Sequence, residues 1–151
     1  MEKLLIINPG STSTKIAFFD GEKEEWNESI AHTKEELAQY DTIIDQVPMR
    51  KQLVLETLAK RGAAISDLSA IISRGGPIAP LHAGAYEIDE DLLDIVRTHP
   101  QDQHAALTGS VVAYEIAQQT GIKAYIYDAV TVDEMLPICR ITGLPEIQRR
   151  G

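Results

Sequence analysis

The sequence predicts an α/β domain built on a mixed sheet, and two observations carry that prediction. The first apolar segments follow one another through tight turns, and Asp20 and Gly21 form a strong hairpin signal between two of them. From residue 49 onward, helical and strand patterns alternate, as they do in β–α–β units. A purely parallel sheet would not open with a hairpin, so we expect antiparallel and parallel pairs in one sheet.

The individual elements follow from the spacing of apolar residues. The opening meander is expected to use strands at residues 4–7, 15–19 and 24–32. Thr33 and Glu36 have the spacing of a capping box, which predicts a short helix after the third strand. The other predicted elements are helices at 49–61, 89–97 and 104–119, strands at 70–73, 85–88 and 124–127, and a connection at 141–151.

Composition narrows the class of protein and its partners. The chain has 151 residues, the size of one ordinary domain, and 44% of them are hydrophobic. Its 23 acidic and 14 basic residues give a net charge of -9, which argues against nonspecific nucleic-acid binding but not against a nucleotide ligand. Cys139 is the only cysteine, and no apolar run approaches membrane-spanning length, so we expect a cytoplasmic protein without a membrane partner. The four histidines lack the spacing of a zinc site.

The sharpest candidate for a ligand site is the segment 8–15, Asn-Pro-Gly-Ser-Thr-Ser-Thr-Lys, between two apolar strands. Gly10 allows backbone to approach a ligand closely, and the N–H groups and hydroxyls after it can line an anion site. Lys15 adds a positive charge, and Asn8 adds a neutral ligand for phosphate oxygen or a hydrated metal. The segment is not a Walker loop, because it lacks the Gly-Lys-Ser/Thr ending and opens no helix. An ordinary polar turn uses the same residue types, so both interpretations stay open here.

A second candidate is Arg74, which follows the predicted strand 70–73 and precedes Gly75 and Gly76. The guanidinium group is a planar fork that matches a carboxylate or a phosphate, and the two glycines leave space for a substrate. A surface arginine before a glycine turn is the alternative interpretation of the same residues.

Two further polar residues lie at the ends of predicted elements. Asp128 follows the strand 124–127, and ligands bind at the carboxyl ends of strands in open α/β sheets. His104 begins a predicted helix, where it could contact a substrate. Each has a structural alternative: Asp128 could cap the next segment, and His104 could be an ordinary hydrogen-bonding residue.

Together these segments resemble the acetate and butyrate kinase family, within the sugar-kinase, heat-shock and actin-like superfamily. The family pattern Asn-x-Gly-Ser-x-Ser-x-Lys in the first hairpin is matched by Asn8, Gly10, Ser11, Ser13 and Lys15.

Three later blocks extend this resemblance over the whole chain. Arg74 with its two glycines resembles the stretch that shapes the carboxylate site, His104 resembles a substrate-side histidine, and Asp128 resembles the catalytic aspartate after the inner strand. The butyrate kinase branch matches better than the acetate kinases at residues 74–80, 84–88 and 140–147. Acetate kinases typically have His-Gly-Gly in the first of these blocks and Asp-Thr-Ala-Phe-His after the inner strand, where this chain has Asp-Ala-Val-Thr.

The resemblance implies a fold and an activity. The fold is a ribonuclease-H-like (actin-like ATPase) domain with helices on both faces of the mixed sheet. The activity is transfer of the ATP γ-phosphoryl group, with Mg²⁺, to a short-chain carboxylate, of which butyrate is the leading candidate. The implied roles are phosphate contact for Asn8, Gly10, Ser11, Ser13 and Lys15, catalysis for Arg74 and Asp128, substrate contact for Arg74, Gly75, Gly76 and His104, and water-mediated Mg²⁺ binding for Asn8 and Asp128.

The resemblance also implies an enzyme with two lobes of similar fold, each of which contains a different part of the binding site. Residues 1–151 correspond to the amino-terminal lobe, and the adenosine pocket belongs to the carboxy-terminal lobe. We therefore expect the 151-residue chain alone to have no useful kinase activity, and its exposed apolar face to favour self-association. The intact enzyme is expected to be a homo-oligomer that binds ATP or ADP and its carboxylate.

Several alternatives stay open at this point. The carboxylate could be acetate, propionate or a branched-chain acid. A sugar or glycerol kinase lobe would share the first hairpin, although such kinases commonly have an aspartate where Asn8 stands and need a base to activate a hydroxyl. A phosphate-binding module without catalysis is the third alternative.

Overall fold

A computed structural model describes residues 1–98, 104–141 and 143, and it places six strands in one mixed sheet. The strands are β1 Lys3–Pro9, β2 Ser13–Asp20, β3 Lys23–Ala31, β4 Ala70–Ser73, β5 Ala85–Glu87 and β6 Lys123–Tyr127. Their order across the sheet is β3-β2-β1-β4-β6-β5. The meander pairs and β5–β6 are antiparallel, whereas β1–β4 and β4–β6 are parallel, which confirms the predicted mixed α/β sheet.

Four α-helices and three short 3₁₀ helices connect the strands in the described residues. The α-helices are α1 Lys34–Leu37, α2 Val47–Lys60, α3 Glu90–Thr98 and α4 Ala106–Ala117. The 3₁₀ helices, which the apolar spacing does not predict, are Ile44–Gln46, Ile65–Asp67 and Pro137–Arg140. None of the described helices combines the length and the apolar character that crossing a membrane requires.

Local signals in the sequence account for the turn between β2 and β3 and for the helix α1 that follows β3. Gly21 has a φ of 61°, the left-handed conformation that a tight hairpin turn between β2 and β3 requires. After β3, the Thr33 hydroxyl accepts a hydrogen bond from the Glu36 amide at 3.1 Å, and the Glu36 carboxylate accepts one from the Thr33 amide at 2.7 Å. The predicted capping box is therefore confirmed.

Helix α4 packs on the sheet against β1, β4 and β6. Along β1 the residues facing α4, such as Leu5 and Ile7, are fully buried, whereas the alternating Leu4 and Ile6 are only half-buried. The same alternation runs along β4, in which Ile71 is buried. Helix α4 therefore covers the more deeply buried face of these strands.

Close packing at Gly109 sets the position of α4 against the sheet. A Cβ atom at this position would lie 2.8 Å from Pro9 Cδ and even closer to Ser73 Oγ. These residues end β1 and β4, so the helix backbone at Gly109 packs directly against side chains at the ends of both strands. The beginning of α4 is thereby held next to the carboxyl ends of the two strands.

The remaining differences concern the ends of elements. Helix α2 begins at Val47, two residues earlier than predicted, because a proline is tolerated in the first turn of a helix. Helix α4 begins at Ala106 rather than at His104. The predicted connection at 141–151 lies, apart from residues 141 and 143, outside the described residues.

Candidate phosphate-binding site

An open pocket of about 390 Å³ lies where β1 and β4 end and α4 begins. Neighbouring parallel strands end at the same edge of a sheet, and that edge is where open α/β sheets bind ligands. The pocket is lined by Asn8, Pro9, Gly10, Ser11, Thr12, Ser13, Lys15, Ile43, Arg74, His104, Ala105, Ala106 and Val130. The fold thus brings the turn after β1 together with Arg74 and His104, which are distant from it in sequence.

The turn between β1 and β2 is tightly closed. The Gly10 amide donates a hydrogen bond to the Ser13 carbonyl oxygen at 2.7 Å, and the His32 amide donates one to the Thr12 carbonyl oxygen at 2.9 Å. Ser11 remains exposed at the rim of the pocket. A Cβ atom at Gly10 would lie 3.5 Å from the Ser13 carbonyl oxygen, an ordinary contact, so the turn itself does not require glycine there. Any requirement for glycine would come from a ligand that approaches the turn.

The charges that line the pocket are positive. Lys15 and Arg74 are both exposed, and neither forms an ion pair with a carboxylate in the part of the chain that the structure describes. Helix α4 begins at the pocket, and the amino-terminal end of a helix carries partial positive charge. The pocket is therefore suited to an anion, although the chain as a whole is acidic.

Hydrogen bonding determines which nitrogen of His104 carries the ring proton. The Ala106 amide donates to His104 Nδ1 at 3.2 Å, so Nδ1 is the acceptor in the ring. In neutral His104 the proton must then be on Nε2. That nitrogen can donate to an oxygen atom of a ligand in the pocket.

Gly75 and Gly76 have a different environment from the one predicted. Both are buried, and a Cβ atom on them would lie 3.1 Å from Ile126 Cγ2 and 2.6 Å from Leu107 Cδ2, respectively. Gly75 also has a φ of 69°, which favours glycine. The space that these glycines leave is filled by β6 and α4, so they allow close packing behind Arg74 and do not line the pocket.

Asp128 is exposed at the end of β6 and is not among the residues that line the pocket. Its backbone has a φ of 46°, and its Oδ1 accepts a hydrogen bond from the Gly84 amide at 3.2 Å. In the described residues no group of three or more His, Cys, Asp or Glu side chains could hold a metal ion. Asn8 and Asp128 offer the oxygen ligands that Mg²⁺ accepts, but too few for a protein cage, so they fit only an ion that keeps most of its waters.

One residue near the pocket carries no motif signal and is missed by the sequence analysis. Arg50 on α2 is fully buried and hydrogen-bonds to the turn after β1 from the interior of the protein. It falls on the same helical stripe as Val54 and Leu58, at spacings of four and eight residues. A charged residue on an apolar stripe is the signal that could have found it.

Arg50 also affects a histidine that contacts the turn. His32 Nε2 lies 2.8 Å from Thr14 Oγ1, which accepts a hydrogen bond from Arg50. Burial, followed by the nearby Arg50 charge, lowers the pKa of His32, against a smaller opposing contribution from Glu36.

Known proteins are similar to this chain in sequence and in fold. No family model matches the chain. Over all 151 residues it is 41% identical to butyrate kinase 1 from Clostridium acetobutylicum, and it spans 42% of the length of that protein. The acetate kinase structure from Porphyromonas gingivalis superposes on 96% of the chain with a TM-score of 0.58 and 12% identity, covering 42% of that structure. A propionate kinase structure from Francisella tularensis also superposes on 96% of the chain, with a TM-score of 0.54 and 12% identity, covering 41% of that structure.

These comparisons confirm the resemblance that the motifs indicate. By its fold, the chain is similar to part of the acetate and propionate kinase structures, over about two-fifths of their length. By its sequence, it is a relative of butyrate kinase over less than half of that enzyme's length.

Proposed function

We propose that this chain forms the phosphate-handling lobe of a kinase that converts ATP and butanoate to ADP and butanoyl phosphate. The observation that carries the proposal is the meeting of the 8–15 turn, Arg74 and His104 at one positively charged pocket, in a chain 41% identical to butyrate kinase 1. Asn8, Gly10, Ser11, Ser13 and Lys15 are the proposed phosphate contacts. Residues 1–151 are proposed to be the amino-terminal lobe, with the adenosine pocket in a second lobe.

The proposed reaction needs few chemical groups from the protein. A carboxylate oxygen of butanoate attacks the γ-phosphorus, a new P–O bond forms, and the bond to the ADP oxygen breaks. Because the carboxylate is already ionised, no general base is required, and catalysis rests on positioning and charge neutralisation. Arg74 would hold the carboxylate or the transferring phosphoryl group. His104 Nε2 and the amides of the turn would donate hydrogen bonds to oxygen atoms that gain charge.

The metal and the cellular setting are part of the same proposal. Mg²⁺ would neutralise charge on the phosphates, while Asn8 and Asp128 would bind it through water molecules. The acidic net charge supports a protein without nucleic-acid partners. We further propose a cytoplasmic, homo-oligomeric enzyme without a membrane partner, and self-association of the 151-residue chain alone through the half-buried sheet face that includes Leu4 and Ile6.

Trapping of the acyl phosphate product with hydroxylamine tests the proposed activity. In a two-lobe protein that contains residues 1–151, ATP and butanoate should yield hydroxamate, with a smaller yield from acetate, propionate or branched-chain acids. The 151-residue chain alone should yield none at a rate typical of kinases. ADP release with glycerol or a hexose, but no hydroxamate with any carboxylate, would show that the proposed substrate class is wrong. Phosphate binding without turnover of any substrate would favour a non-catalytic module.

A further inference from the structure

Arg50 has an unusual position for a cation. Its side chain has 0% exposure and is among the largest fully buried side chains of the described residues. Burial of a charged group costs several kcal/mol unless hydrogen bonds compensate for the lost water. The contacts of Arg50 therefore have to be extensive for the fold to tolerate it.

Five hydrogen bonds use all five N–H donors of the Arg50 guanidinium. Nε and Nη2 donate to Gln46 Oε1 at 3.2 and 3.0 Å, which fixes the plane of the group from its own helix. Nη2 also donates to the Gly10 carbonyl oxygen at 2.9 Å. Nη1 donates to Thr14 Oγ1 at 2.8 Å and to the Ser13 carbonyl oxygen at 3.3 Å. The arginine thus holds both ends of the turn that lines the pocket.

These contacts orient the backbone of the turn. In a planar trans peptide the carbonyl and the following N–H point in opposite directions. Since the Gly10 carbonyl points at Arg50, the Ser11 N–H points away from Arg50. Arg50 does not line the pocket, whereas Gly10 and Ser11 do, so the turn separates the arginine from the pocket.

The positive charge of Arg50 has no ionic partner. All its acceptors are neutral, and within residues 1–98, 104–141 and 143 no carboxylate lies within ion-pair distance of it. Water screens a buried charge much less than an exposed one such as Lys15. The uncompensated charge behind the turn therefore favours an anion in front of it.

We propose that Arg50 is a positioning residue for phosphate binding, which holds the Gly10–Thr14 turn from behind and adds a buried positive charge to the site. This inference rests on the proposed function, because it assumes that the turn binds phosphate. It predicts two separable contributions, one from the geometry of the hydrogen bonds and one from the charge.

The test compares Arg50→Met, which removes the charge and the hydrogen bonds, with Arg50→Lys, which keeps the charge but lacks the planar guanidinium group and its five N–H donors. The control is Lys51→Met on the same helix, which removes an equal charge from a residue paired with Glu115 at 2.8 Å. The probe is inorganic tripolyphosphate, titrated calorimetrically into the 151-residue chain, with hydrogen exchange of the Gly10 amide followed in parallel. Arg50→Met should weaken binding at least tenfold and Arg50→Lys about threefold. Both should accelerate exchange at Gly10, and Lys51→Met should do neither.

The outcomes separate this inference from the proposed function. If the wild-type chain binds tripolyphosphate and a folded Arg50 variant binds it equally well, the role of Arg50 is wrong and the phosphate site stands. If the wild-type chain does not bind tripolyphosphate, the proposed phosphate site is wrong, and so is the role of Arg50 that depends on it. If Arg50→Met does not fold, Arg50→Lys decides: wild-type affinity and wild-type exchange at Gly10 would overturn the inference.

Discussion

Replacing Gly109 with alanine is expected to lower the free energy of unfolding by about 2 kcal/mol. The added Cβ would lie 2.8 Å from Pro9 Cδ, and the proline ring cannot rotate away because it is part of the backbone. Overpacking of this kind typically costs about 1–3 kcal/mol. In the absence of a clash, alanine would stabilise a helix by about 1 kcal/mol relative to glycine. A net loss of about 2 kcal/mol therefore requires overpacking that costs about 3 kcal/mol, the upper end of that range.

Urea denaturation followed by circular dichroism measures this loss, and the neighbouring Ser110→Ala is the control. The Ser110 hydroxyl is buried and has no hydrogen-bond partner in the part of the chain that the structure describes. Its removal should leave stability unchanged or raise it by up to about 1 kcal/mol. Equal stability of Gly109→Ala and the wild type would mean that α4 does not cross β1 and β4 at the distance described.

Replacing Arg74 with alanine is expected to lower kcat/KM for butanoate by about 100-fold in the proposed two-lobe protein. Removal of a single donor that stabilises developing charge typically costs a factor of about 100 to 1,000. Arg74→Lys should recover only part of the loss, because an ammonium group lacks the planar fork that binds a carboxylate or phosphate through two hydrogen bonds.

The matched control for Arg74 is Arg97→Ala on α3, which removes the same charge outside the pocket. Arg97 pairs with Glu90 and Asp94 on its own helix, and both members of each pair are well exposed. Its replacement should leave kcat/KM unchanged within about twofold, since exposed pairs contribute about 0–1 kcal/mol. Equal losses in the two variants would show that net charge matters and that the position of Arg74 does not.

Much of the pocket could be predicted from the sequence because its residues lie at the ends of predicted elements. Asn8 and Arg74 follow the predicted strands 4–7 and 70–73, and the parallel pairing of β1 and β4 brings them to one edge of the sheet. The beginning of α4 places His104 at the same edge. The family pattern adds the expectation that residues 8–15 bind phosphate, which a titration with an acyl phosphate can test.

Features that depend on contacts between distant segments could not be predicted in this way. The role of Arg50 requires knowing that position 50 of α2 faces the turn after β1. Gly75 and Gly76 precede a predicted loop, and only the packing of Leu107 and Ile126 shows that their space is filled.

The most direct test of a phosphate site in this pocket is an NMR titration of the ¹⁵N-labelled 151-residue chain with butanoyl phosphate. We expect saturable shifts of the Gly10, Ser11 and Ser13 amides, the Arg74 side chain and the His104 ring, with none at Arg97. Inorganic phosphate should cause the same shifts at higher concentration, and butanoate alone should leave the turn unaffected. The absence of saturable shifts at the turn, or shifts centred on another part of the protein, would contradict a phosphate site in this pocket.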